Sequence, residues 1–161
     1  GGADVNEITR LLLDLINRSI ATRPADLEIT FNIAANEQAV PRWYDEKELA
    51  NLRLMLETID ADAFLLPFEI SSPEAINALR WLPAGKRVIL GLVDGSLPNL
   101  ESVNDIVTAV RMARRYVPME KLSISPTCGF KVRDGERQGL NYETQWTKIA
   151  LLRQAAELAA E

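Results

Sequence analysis

Four short apolar runs alternate with stretches of helical periodicity along this chain, and that alternation restricts the fold more than any other feature of the sequence. The runs are "LEITFNI" from Leu27, "DAFLLPFEI" from Asp62, "RVILGLVDG" from Arg87 and "KLSIS" from Lys121. Each is short and bounded by turn formers, which is the pattern of a strand. "RVILGLVDG" is apolar at both alternating sets of positions, as a parallel strand covered on both faces requires.

Helices fill the intervals. Ile8, Leu11, Leu12, Leu15 and Ile16 recur at helical spacing, predicting an amphipathic helix from Asp4 to about Ala21. Asp45 with Glu48 starts a second helix, with Leu49, Leu52, Met55, Leu56 and Ile59 as its buried stripe. Ser72 before Pro73 and Glu74 reads as a helix N-terminus with proline in the first turn. Ser102 begins a helix whose apolar face is Val103, Ile106, Val107 and Val110. The alanine-rich segment from Asn141 to Glu161 is the last, with Trp146, Ile149, Leu152 and Leu158 available for packing. Trp43, Trp81 and Trp146 are all expected to be packing residues.

Strands separated by helices need right-handed crossovers and pair in parallel, so the fold class is α/β: a helix followed by four strand-helix units. Four units are half of the eight that close a barrel of about 250 residues. The whole chain, residues 1–161, reads as a single domain. A composition of 47% hydrophobic and 25% charged residues suits one globular core. The formal charge of -5 gives no footprint for nucleic acid or an anionic membrane, and no run approaches the roughly 20 apolar residues that span a bilayer. No basic, apolar leader is visible, so the expected location is cytoplasmic. With a single cysteine, Cys128, the chain has no internal disulfide, and without histidine it has no Ser-His-Asp or Cys-His nucleophile.

In parallel α/β folds, functional groups gather where strands run into the loops that follow. The candidates at those positions are Asn32 and Asn36 after the first strand, Glu69 at the end of the second, Asp94 after the third, and Thr127 and Cys128 after the fourth. Glu69 and Asp94 equally suit capping of the next helix or pairing with loop amides, and Cys128 alone equally suits a small buried residue before Gly129.

Longer motifs frame the cysteine. "SPTCGF" (Ser125 to Phe130) follows "YVPMEKLSI" and, further back, "GLVDGSLPNLES". Together these resemble the C-terminal portion of the cobalamin-independent methionine synthase family, in which a strand ending Gly-x-x-Asp precedes a helix, a Val-Pro with an acidic residue, and an "SPxCG" loop. The match runs without gaps from Val88 to Gly129 and continues more weakly upstream to Leu27. The resemblance implies a TIM-type barrel of which this chain is the C-terminal half, and a methyltransferase that moves a methyl group from methyltetrahydrofolate to the thiol of homocysteine on zinc. It implies Cys128 as a metal ligand. Carried onto this sequence, the family's His-x-Cys pair falls on Phe31 and Ile33, or on Asn32 and Ala34 in the neighbouring register. The family's glutamate falls on Pro67, with Glu69 two residues on and on the same side of the strand.

Zinc is therefore the cofactor the resemblance implies, with its other ligand positions altered here. Three readings follow: a methyl-transfer domain degenerate at the zinc site; a non-catalytic relative serving as a binding module or barrel-completing subunit; and a metal-free relative acting through Asn32, Asn36 and Glu69. Each expects a small-molecule substrate or ligand. A half barrel leaves sheet edges to be covered, so the expected partner is a second copy in a homodimer or the missing N-terminal half barrel.

Overall fold

The computed structural model describes residues 5–33, 46–70, 72–130 and 140–161. Its elements are helix α1 (Val5–Ile20), strand β1 (Thr30–Asn32), α2 (Glu46–Thr58), β2 (Ala63–Pro67), a 3-10 helix (Pro73–Trp81), β3 (Arg87–Val93), α3 (Val103–Ala113), a short 3-10 turn (Met119–Lys121), β4 (Leu122–Pro126) and α4 (Tyr142–Ala160). The strands form one sheet in the order β1-β2-β3-β4, every pair parallel, as sequential crossovers dictate. The sheet is open, so the fold is half of a TIM-type barrel: β1 and β4 are its two edges.

One face of the sheet carries the core. Phe64, Leu66, Val88, Leu90 and Leu92 all point to the helices and are at most 2% exposed. Leu52 and Leu56 from α2 with Ile59 just after it, Ile106, Val107 and Val110 from α3, and Ile76 and Leu79 from the 3-10 helix close over them. The opposite face differs. The register aligns Asn32, Leu65, Ile89 and Ser123 in one layer across that face, where Leu65 and Ile89 are half-buried and Asn32 and Ser123 exposed. In a closed barrel this face is the interior, which needs side chains from all eight strands to fill it. β3 sits deep as its apolar run implies, with every residue from Leu90 to Val93 buried; only its start is more open, Arg87 exposed and Ile89 half-buried.

Several expectations are corrected. β1 is shorter than the run from Leu27 to Ile33: the Ile29 amide donates to Asp62 Oδ2 (2.8 Å), a side-chain tie in place of a ladder bond, and Leu27 is half exposed. The segment after Ser72 is a 3-10 helix, and the Ser72 side chain makes no cap bond; the Ala75 amide instead donates to the Ser72 carbonyl (3.0 Å). Ser102 does cap α3, accepting from the Asp105 amide. Trp146 is 68% exposed and so is not a packing residue within the described chain, and Ile149 is also exposed. Asp45 and Trp43 lie outside the described residues. On α1, Leu13 is buried, but Ile8, Leu11, Leu12 and Leu15 are all exposed. No described helix is long and apolar enough to cross a membrane.

Candidate functional site

The C-terminal ends of β2, β3 and β4 are drawn together by close backbone approach. The Phe68 amide donates to the Gly91 carbonyl (2.8 Å), and the Thr127 amide donates to the Val93 carbonyl (2.7 Å). Gly91 lies between the two neighbouring strands: a Cβ there would stand 3.0 Å from Thr127 Cα and 3.2 Å from Pro67 Cα. One turn further, a Cβ on Gly95 would stand 2.6 Å from the Cys128 carbonyl oxygen and 3.4 Å from Cys128 Sγ. Only hydrogen fits at that spacing, so the turn after Asp94 rests directly on the turn carrying Cys128. Cys128 is a free, half-buried thiol, with Thr127 Oγ1 at 3.9 Å from its sulfur.

Asp94 organises its own turn. Its Oδ1 accepts from the Ser96 amide (2.8 Å) and the Ser96 hydroxyl (2.7 Å), an Asx-type closure that stops β3 and reverses the chain. Its amide donates to Glu101 Oε1 (2.7 Å), which closes the turn from its far end. Glu101 is in turn held by Lys148 of α4, whose Nζ lies 3.0 Å from Oε2 and 3.3 Å from Oε1 and also donates to the Asn99 carbonyl. Lys148 has no solvent exposure and Glu101 only 13%.

Glu101 and Lys148 were not among the sequence candidates, although the signal for Lys148 was present. It occupies the position that begins the inward stripe of α4, continued by Leu152, Ala155 and Ala159 at helical spacing. A lysine in that stripe calls for a buried acceptor.

The structure brings Asp94 and Cys128 together, through Gly95, and sets Glu69 just past the end of the adjacent strand β2, where it is exposed. Asn32 stands apart, at the exposed end of β1 with β2 between it and β3. Asn36 lies outside the described residues. Phe31 points into the helix-side core and meets Phe64 edge-on, ring centroids 6.5 Å apart. Ile33 is 8% exposed within the same core, and Pro67 is buried in β2. Among the described residues no three His, Cys, Asp or Glu side chains are grouped so as to hold a metal ion.

The chain is similar to known proteins in sequence and in fold. Residues 22–157 match the cobalamin-independent synthase, catalytic domain. The chain belongs to this family. Among its relatives is the uncharacterized protein YxjG of Bacillus subtilis (strain 168), 31% identical over 98% of this chain and 41% of that one. A 5-methyltetrahydropteroyltriglutamate--homocysteine methyltransferase of Photobacterium profundum is 32% identical over 48% of this chain and 10% of its own length. In three dimensions the chain is similar to a putative vitamin-B12 independent methionine synthase from Listeria monocytogenes, with a TM-score of 0.70 and 22% identity over 98% of this chain and 43% of that chain. The synthase-family chain described here thus spans about two fifths of the length of the relatives it matches along its whole extent.

Proposed function

We propose that this chain is the C-terminal half of a methionine-synthase-like methyl-transfer barrel acting in the cytoplasm, with a small-molecule thiol bound at the strand ends beside Cys128, Asp94 and Glu69 and with Asn32 and Asn36 on its approach. The observation that carries this reading is the contact of Gly95 with Cys128, which builds one composite surface from the ends of β3 and β4 in a chain of this family. In the transfer the substrate sulfur gains the methyl group as a new S–C bond. The N–CH3 bond of the folate-type donor breaks, and the thiol proton passes to the donor nitrogen.

The residues present do not fit a resident catalytic zinc, which takes three protein ligands. In one register Phe31, Ile33 and Pro67 carry no side-chain donor atom, and Phe31 and Ile33 belong to the packed core; in the neighbouring register Asn32 and Ala34 do not supply the His-x-Cys pair either. No step is therefore assigned to the metal, and the zinc site is read as degenerate. The same two core side chains favour a second reading, a metal-free relative that binds a ligand and completes a barrel without catalysis.

In either reading the open sheet is closed by a second half barrel, supplied by an N-terminal half or by a second copy. Native mass spectrometry of the purified chain, followed by an assay of methionine formation from homocysteine and methyltetrahydrofolate by the assembled species, tests both points. Methionine formation that falls at least about tenfold in Cys128→Ala supports methyl transfer. An assembly that forms but turns over no substrate, with or without Cys128, supports the binding module.

A further inference from the structure

Among the described residues, Lys148 is the one charged residue that is buried, and packing alone gives no reason for it. Its neighbours along the inward stripe of α4 are leucine and alanine, and an apolar side chain there would avoid the several kcal/mol that burying an ammonium costs. The ammonium is compensated by three oxygens, all from the turn that follows β3: both carboxylate oxygens of Glu101 and the carbonyl of Asn99. Glu101 passes the restraint on, since Oε1 also accepts the Asp94 amide at 2.7 Å. The loop from Asp94 to Glu101 is thereby closed on itself and tied to the last helix. Its second residue, Gly95, is the one pressed against Cys128.

We propose that Lys148 and Glu101 are positioning residues for the strand-end site: the pair holds the 94–101 turn down on Cys128 and so sets how far the thiol is open to a ligand. This rests on the reading of the strand ends as the functional site. Neither residue touches the reacting atoms; both act through Asp94 and Gly95. A buried ion pair replaced as a whole by apolar or neutral groups of like size often leaves stability unchanged, so the positioning role is separable from a purely structural one.

The test is the rate at which iodoacetamide alkylates Cys128, the sole cysteine, in the natively folded chain, followed by intact mass alongside thermal melts. In Lys148→Met and in the double variant Lys148→Met with Glu101→Gln, the rate is expected to rise about tenfold well below the melting temperature, because the turn opens locally. Lys148→Arg, which keeps the charge, is expected to stay within about threefold of the parent. A double variant that melts with the parent yet alkylates within about twofold of it overturns the proposal. So does a rise in rate that merely tracks the fall in melting temperature across the series.

Should Lys148→Met not fold, Glu101→Gln decides through amide hydrogen exchange: faster exchange at Asp94 and Thr127 supports the latch, and unchanged protection refutes it. The readout uses no metal or methyl donor. Failure of methyl transfer therefore leaves it standing, and its own failure leaves methyl transfer untouched.

Discussion

Trp146 and Lys148 stand two positions apart on α4 and face opposite ways: Trp146 is 68% exposed, whereas Lys148 is fully buried against Glu101. The helix is thus wet on the side that carries Tyr142, Trp146 and Ile149. On α1, Ile8, Leu11, Leu12 and Leu15 are likewise exposed. Exposed apolar ridges of this kind are candidate interaction surfaces.

Substitution on these two ridges should therefore affect assembly and not folding. Trp146→Asp and Leu12→Asp are each expected to leave the far-UV circular dichroism spectrum intact and to change stability by no more than about 0.5 kcal/mol, as exposed substitutions do. Each should shift the chain toward the monomer in size-exclusion chromatography with light scattering. Unchanged assembly in both variants would place the partner surface elsewhere.

Gly95→Ala tests the contact between the two strand-end turns. The added methyl would meet the Cys128 carbonyl, a backbone atom that cannot swing aside. Overpacking of this sort costs about 1–3 kcal/mol, so the urea midpoint should fall accordingly. The same change at exposed Gly129, where nothing lies within 4 Å of the added carbon, is the comparison and should cost less.

The start of α4 is a capping box: the Asn141 side chain accepts from the Thr144 amide (2.9 Å), and Thr144 Oγ1 accepts from the Asn141 amide (2.9 Å). Asn141→Ala should destabilise by about 1 kcal/mol in thermal melts, while Asn141→Asp, which keeps the acceptor and suits the helix dipole, should be close to neutral.

At the opposite end of the sheet from the candidate site, the Asp62 carboxyl is held below its ordinary value, chiefly by the hydrogen bond from the Ile29 amide and also by Arg23 and Lys86, against a smaller opposing effect of burial. A depressed carboxylate contributes stability above its unfolded value of roughly 3.9 and loses it as the pH falls through the lower folded value. Asp62→Asn should thus lower the melting temperature at pH 7, with the gap narrowing as the pH is taken below 4. A gap that stays constant into strong acid would show that the ionised charge is not what Asp62 contributes.

The periodic elements were legible because their information is local. The stripe Leu52 and Leu56 of α2, with Ile59 just after it, and the Ser102 cap of α3 lie where spacing puts them, and the run Arg87–Val93 is the strand it reads as. Ser72 does stand at the start of a helix with Pro73 in its first turn, but that helix is 3-10, so the Ala75 amide closes on the Ser72 carbonyl and the serine side chain makes no cap bond. Asp94 was visible at its strand end. Its partner Glu101 was not, since what makes that glutamate part of the site is a lysine 47 positions later in the chain.

By itself the sequence determined the order of strands and helices, the parallel topology and the family, because hydrophobic period, capping residues and a contiguous motif are properties of neighbours along the chain. Which apolar faces are buried was decided only in three dimensions. The stripe on α1 and the tryptophan on α4 satisfy the local rules for packing and yet remain exposed among the described residues, because burial depends on which surfaces the fold brings against them. The same holds for the strand-end site. Cys128, Gly95, Asp94, Glu101 and Lys148 become one unit only where the curl of the sheet and the return of α4 bring separate turns within contact, and distance in the chain carries no record of that.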